Sequence, residues 1–229
     1  MADNGRLAYV PANGRFLPTA LYDRSIAITM RERAWRPQLV RDVLLGDPAD
    51  VLDLGCGTGT LAIALAGAPG GTRVTGIDGD PEILGLARGK EGSERVEFVE
   101  GMVDCLPFAD ASFDRVVASL LLHHLQPPVK RAALAEARRV LRPGGRLHVA
   151  DWGESQDPLM RVLFAGLQVL DGFSNTADHP AGRIPGMIEQ AGFLGVRRHD
   201  CLRTVWGSFE MLSASARPIA QASPAAADP

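Results

Sequence analysis

Hydrophobic and polar positions alternate between two rhythms from residue 49 to about residue 151. Short apolar runs, read as buried strands, are separated by stretches of helical periodicity. The run 49–54 is broken by Asp53 and stops at Gly55, which predicts a strand, and Thr60–Ala66 is the helix after it. Arg73–Asp78 predicts the next strand, and Pro81 suits the first turn of a helix, where a missing N–H costs nothing. Segments 96–99, Phe113–Ser119 and 146–151 are three more strand candidates. Residues 130–141 read as an amphipathic helix stopped by Pro143-Gly144-Gly145. Strands alternating with helices predict an α/β architecture with a doubly wound, mostly parallel sheet.

Two flanking regions break that rhythm. Residues 1–46 carry Tyr22, Trp35 and a helical stretch around 26–45, a candidate lid. Residues 152–181 carry an apolar helix over 159–170 and a polar loop ending at His179-Pro180, a helical insert. Residues 182–191 read as helical, and 193–199 with 204–213 as a closing antiparallel pair. The expectation is one domain over 1–216, followed by an Ala/Pro/Ser-rich tail at 217–229 that reads as disordered. No internal repeat is visible.

Composition narrows the picture. The chain has 229 residues, 46% of them hydrophobic, enough for one sizeable core. A formal net charge of -3 supplies no basic field for phosphates, so nucleic acid is a poor partner. Cysteines 56, 105 and 201 form no CxxC pair and read as reduced thiols. The start lacks the layout of a signal peptide, and 159–170 is interrupted by Arg161 and Gln168. A span needs roughly 20 apolar residues, so the expectation is a cytoplasmic protein with no membrane span.

The sharpest local feature is Val51-Leu-Asp-Leu-Gly-Cys-Gly-Thr-Gly-Thr60 at a strand-to-helix turn. There a small-residue loop lets a ligand approach the backbone. A dinucleotide fingerprint wants a third glycine at position 60, which is Thr60, so a nicotinamide cofactor loses its support. Asp78 ends the second strand at the spacing of an acid that accepts from both hydroxyls of a ribose. The bland alternative is that Asp78 only caps the helix at Pro81.

Asp53-x-Gly55-x-Gly57-x-Gly59 followed by Asp78 resembles the class I S-adenosylmethionine-dependent methyltransferases. Leu106-Pro107-Phe108, Ser112-Phe113-Asp114, Leu122-His123-His124-Leu125, Arg139 to Gly145 and Ala191-Gly192-Phe193 are similar to the ubiquinone/menaquinone-type (methyltransferase type 11) group. The resemblance covers residues 49–213. It implies a Rossmann-like seven-stranded sheet with an antiparallel last strand. It also implies S-adenosylmethionine as methyl donor, with S-adenosylhomocysteine as product.

Carried over by resemblance, the backbone at Gly55, Cys56, Gly57 and Gly59 faces the cofactor, with Asp53 near its ammonium. Asp78 and Gly79 meet the ribose, Met102 and Val103 the adenine, and Ser119 and Leu120 the methyl-transfer side. Met102 departs from the pattern, since members carry an acid there. The expectation is that it packs flat on the purine, while Asp104 or backbone groups satisfy the amine.

Methyl transfer from a sulfonium needs alignment above all, and a base only where the acceptor must lose a proton. His123 and His124 follow the fourth strand, at the edge where such sheets bind ligands, and are candidate bases or structural caps. Tyr22 is a candidate contact for the methionine end or the acceptor, its alternative being ordinary packing. Trp152 either walls the acceptor pocket or covers the sheet end, and Asp151 faces the same edge. Arg31, Arg33 and Arg36 read as a solvated helix face. Asp178 and His179 lie in a loop that borders the pocket at best. The apolar insert reads as a lid over an apolar pocket, a buried helix or a homodimer interface. No cluster has metal-ligand spacing, so no metal is expected.

The reading that follows is in-line methyl transfer to a small, apolar or aromatic acceptor. The alternative, raised by Met102, is a cofactor-binding scaffolding or regulatory protein of the same fold. RNA methylation is disfavoured by charge. Thiol-dependent arsenic methylation would need converging cysteines.

Overall fold

In the computed structural model, which describes residues 31–216, the chain runs α1 (Glu32–Leu44), β1 (Asp50–Leu54), α2 (Thr60–Ala66) and β2 (Arg73–Asp78). It continues through α3 (Pro81–Arg88), β3 (Val96–Glu100), β4 (Phe113–Ser119), α4 (Pro127–Val140) and β5 (Leu141–Trp152). It ends with α5 (Pro158–Asp171), α6 (Phe173–Thr176), α7 (Ile184–Gln190), β6 (Phe193–Thr204) and β7 (Gly207–Ala216). Tyr22 and the tail 217–229 lie outside the described residues.

The seven strands lie in the order β3-β2-β1-β4-β5-β7-β6. β1 pairs in parallel with β2 and β4, β2 with β3, and β4 with β5. β7 runs antiparallel to both β5 and β6. The order reverses between β1 and β4, and open α/β sheets bind ligands outside the strand ends at that crevice.

Alternating side chains divide the core between the two faces of the sheet. On one face Leu52, Leu54, Val116 and Leu147 pack under Ala133, Leu134 and Ala137 of α4 and Ile184 and Ile188 of α7. On the other, Val51, Val117 and Ala150 pack under Trp35 and Leu39 of α1, Leu61 and Leu65 of α2 and Phe164 of α5. Trp35 stacks on Phe209, ring centroids 4.6 Å apart, which seats the start of α1 against the start of β7.

Several boundaries differ from the sequence pattern for local reasons. α4 starts at Pro127, since two prolines at its first positions serve as well as any residue without an N–H partner. β5 starts at Leu141, and its pairing with β4 skips from Phe113↔Leu141 to Arg115↔Arg146. Pro143 and Gly144 therefore form a bulge instead of a stop. A Cβ on Gly145 would meet the carbonyl oxygens of Arg142 and Asp114 at 2.9 Å, so only glycine fits there. Arg142 crosses the bulge to Asp50 and Asp114, both at 2.9 Å. The insert holds two helices, α5 and α6, broken at Gly172 (φ 89°). Trp152 closes β5 and does not belong to the insert. Among the described residues no helix is long and apolar enough to cross a membrane.

His148, in β5, is buried and its Nε2 has no hydrogen-bond partner. Burial, aided by the Arg115 charge, pushes its pKa down to about 3. The unfolded chain takes up that proton near pH 6.5, whereas the folded chain refuses it until about pH 3. Acid therefore draws the protein toward the unfolded state through this residue. Exchanging His148 for Leu is expected to give a variant whose stability relative to wild type rises by about 1.4 kcal/mol per pH unit on acidification below pH 6.5. Urea melts at pH 7, 6 and 5 measure this, and parallel curves would refute it.

Candidate functional site

The glycine loop joins β1 to α2 at the strand ends. Gly55 and Gly59 have φ of 67° and 72°, which L side chains rarely adopt. A Cβ at Gly55 would lie 2.4 Å from the Leu121 side chain, and one at Gly59 2.7 Å from the Phe98 ring. At Gly57 nothing lies within 4 Å of that position, so the loop presents bare backbone to open space. Lys90 Nζ ties the loop down from outside, at 2.7 Å from Thr58 Oγ1 and 2.8 Å from Thr60 Oγ1.

Two carboxylates flank the loop. Asp78 accepts from Gly57 N at 2.9 Å and from Asp80 N at 3.0 Å. It is not the helix cap, because Asp80 accepts from Glu82 N and Ile83 N and caps α3. Burial raises the Asp78 pKa, against the pull of its backbone donors. Asp53 is 2% exposed and its Oδ2 has no partner. Burial pushes its pKa up to about 7, while Arg36 lowers it and Asp78 raises it. An orphaned buried carboxylate oxygen beside open loop backbone has capacity left to accept from a cationic group.

Cys56 is buried, its N donates to Ile77 O at 2.9 Å, and burial pushes its thiol far up in pKa, so it is inert packing. Gly79 continues the chain from Asp78, and Met102 is half-buried. Val103 is buried in the core. Ser119 ends β4, and Leu120 follows with φ 53°. A left-handed non-glycine residue marks strain, which persists where surrounding structure enforces it; here Leu120 N is held by Ala150 O at 2.8 Å.

Beside Leu120 lies a buried polar assembly. The Asp151 carboxylate accepts from Leu122 N and Trp152 N, both at 2.7 Å, and from His123 N at 3.3 Å. His123 Nδ1 lies 2.7 Å from Asp151 Oδ1. A carboxylate can only accept, so Nδ1 carries the proton. Burial raises the Asp151 pKa, but the His123 interactions outweigh it and hold the group well below the usual carboxylate range. His124 stacks on His123 with centroids 3.9 Å apart, and burial drives its pKa down to about 3. His123 is thereby anchored as an oriented side chain, and His124 is a weak base.

The sequence pattern missed the second half of this assembly. Lys130, fully buried in α4, places Nζ 3.0 Å from Asn175 O, 3.2 Å from Asp178 Oδ2 and 3.4 Å from His179 Nε2. An ammonium has three protons, and three acceptors surround it. His179 Nδ1 donates to Trp152 O at 2.7 Å, and burial lowers the ring to about pKa 4, leaving Nε2 to accept from Lys130. Asp178, its pKa raised by burial but lowered overall by Arg183 and Lys130, also takes Arg183 Nε at 2.8 Å. His179 and Asp178 are thus pillars under the site and not its rim. Trp152 has both backbone groups fixed, while its ring packs on Phe164 and Phe209. No group of metal-ligating side chains converges among the described residues.

Comparison with known proteins fits this geometry. The methyltransferase-domain family model matches residues 51–145. A demethylmenaquinone methyltransferase of Lactiplantibacillus plantarum is 39% identical over 152 residues, covering 62% of this chain and 62% of that protein. An uncharacterised methyltransferase of Synechocystis sp. is 32% identical over 152 residues, covering 65% of this chain and 68% of its own. A solved SAM-dependent methyltransferase from Thermotoga maritima superposes with a TM-score of 0.68 at 20% identity, covering 87% of this chain and 96% of that one. The fold is that of the Rossmann-like methyltransferases, as the resemblance implied. The chain belongs to the class I S-adenosylmethionine-dependent methyltransferase family. It spans about three fifths of the length of the demethylmenaquinone methyltransferases it matches.

Replacing Lys130 by Met is expected to strand the Asp178 and His179 acceptors and destabilise the protein by about 3 kcal/mol, the cost of breaking a buried pair. Urea unfolding at pH 7 reads this directly; a midpoint within error of wild type would show the ammonium to be dispensable.

Proposed function

We propose that this chain binds S-adenosylmethionine at the glycine loop and transfers its methyl group to a small, apolar or aromatic acceptor at the ends of β4 and β5. The observation that carries the reading is the pairing of Asp53 Oδ2, buried without a partner, with the open backbone at Gly57. In this reading Asp53 takes the ammonium of the methionine moiety, and Asp78, already oriented by two backbone donors, takes the ribose hydroxyls. Gly55, Cys56, Gly57, Gly59 and Gly79 supply backbone contacts, and Met102 and Val103 lie toward the adenine. Ser119 and Leu120 line the methyl-transfer side.

When bound, the cofactor supplies a methyl group already activated on a sulfonium. The protein's task is then to align the acceptor in line with it and exclude water. The locked Trp152, against Phe164 and Phe209, offers an aromatic wall for that purpose. Where the acceptor must lose a proton, the His123–Asp151 pair is better suited than His124, whose pKa of about 3 makes it a poor base. Tyr22 stays in this proposal as a contact from outside the described residues. The demethylmenaquinone methyltransferases among the relatives favour a quinol-like acceptor. The free cysteines suit a reducing cytoplasm, and the net charge of -3 argues against nucleic acid. Leu159, Val162 and Val169 are exposed along α5, a surface compatible with a homodimer.

Met102, half-buried where the family resemblance implies an acid, favours one second reading: cofactor binding without methyl transfer. Calorimetry and turnover separate the two. S-adenosylhomocysteine is expected to bind the wild type, and Asp78→Ala to weaken binding about 10- to 100-fold, as loss of hydrogen bonds to a charged group implies. Silence at millimolar cofactor would sink the proposal. Methyl transfer to any member of a panel of quinols, phenols and catechols would end the second reading.

A further inference from the structure

The helical pattern of α1 puts Arg36 on a solvated face, and the structure does not. Arg36 is largely covered, its Nη2 lies 2.7 Å from Glu32 Oε2, and its guanidinium carbon sits 5.7 Å from the centroid of the Trp35 ring. Glu32 and Trp35 are themselves buried, so the side chain is held from two sides and is not free to follow solvent. Its Nε is buried and has no hydrogen-bond partner, a condition that costs free energy unless something fills it. Trp35, the neighbour of Arg36, packs in one cluster with Val51 and Leu61 on either side of the glycine loop, and the Arg36 charge lowers the Asp53 pKa. The same end of the sheet therefore holds an unpartnered cationic donor and an unpartnered carboxylate oxygen, Arg36 Nε and Asp53 Oδ2, both away from water.

Two orphans of opposite sign that are not joined to each other fit a ligand that carries both charges. An amino-acid zwitterion has that form: an ammonium for the carboxylate and a carboxylate for the guanidinium, whose planar donors match it geometrically. We infer that Arg36 is a cofactor-binding residue that holds the α-carboxylate of the methionine moiety, so that Arg36 and Asp53 together form a zwitterion clamp. This rests on the proposed use of S-adenosylmethionine. It extends that reading with a residue outside the glycine loop, supplied by α1. Glu32 serves as the positioning residue, holding the guanidinium by Nη2 and leaving Nε for the ligand.

The test compares ligands that differ only in the groups the clamp reads. Calorimetry on the full chain is run with S-adenosylhomocysteine, with decarboxylated S-adenosylhomocysteine and with 5′-methylthioadenosine, which lacks the amino acid altogether. Wild type is expected to prefer S-adenosylhomocysteine over its decarboxylated form about 10- to 100-fold, as loss of a charge-assisted contact implies. Arg36→Met is expected to lose that preference while binding 5′-methylthioadenosine within about threefold of wild type. Equal affinity of wild type for the two homocysteine ligands overturns the clamp, and this arm needs no variant to fold. A variant that weakens all three ligands alike also overturns it, since that is the mark of a purely structural residue. If wild type binds none of the three, the cofactor reading fails and the clamp fails with it. If wild type binds and Arg36→Met retains the preference, only the clamp fails.

Discussion

The site depends on one buried carboxylate. Asp151 is 1% exposed and is kept ionised by three backbone N–H groups and the His123 ring. A charge taken out of water is tolerable only when its lone pairs are satisfied, and here four donors converge on two oxygens. Those donors come from the turn after β4 and from the end of β5. Satisfying the charge therefore fixes the relative position of two strand ends that share no sequence neighbourhood. The left-handed backbone at Leu120 and the stacking of His124 on His123 follow from that anchoring.

Around this carboxylate the polar interior is built in pairs, each member of which orients the next. Lys130 fixes His179, His179 fixes the carbonyl of Trp152, and Asp151 fixes its N–H. The insert is thereby fastened to the sheet through its polar residues, while its apolar residues Phe164 and Leu167 fill the opposite face. This resolves the competing readings of the insert in part. Its inner side is core, and the exposed Leu159, Val162 and Val169 are what is left for contact with something else.

How much of this was legible in the sequence follows from range. The glycine loop, Asp53 and Asp78 lie within one βαβ unit, and turn chemistry alone places them. The pattern predicts Thr60–Ala66, Arg73–Asp78 and Phe113–Ser119 with their observed limits because apolar runs there end at glycine or polar residues. Lys130 was hidden. A single lysine on an amphipathic helix reads as solvated, and its three partners lie 45 to 49 residues away. Arg36 was hidden for the same reason, since the helix is covered on a side that periodicity alone marks as polar. Pro-Gly-Gly ends helices, so the sequence pattern gives a stop where β5 has its bulge, and only the pairing of β4 with Arg146 shows the strand resuming across it.

The acidity of the cofactor edge gives that legibility a physical cause. Burial raises the cost of ionising both Asp53 and Asp78, and the Asp78 charge raises that of Asp53 further. Two carboxylates buried at one edge store unfavourable charge, with Arg36 as partial relief for Asp53. Stability alone would replace such a pair by apolar residues, which are often neutral or better at buried positions. Their retention next to bare loop backbone makes sense if the missing positive charge arrives with the ligand. A sulfonium and an ammonium on one molecule supply it, and a neutral nucleoside does not. The same argument separates the loop from a dinucleotide site, whose pyrophosphate would meet Asp53 as a like charge.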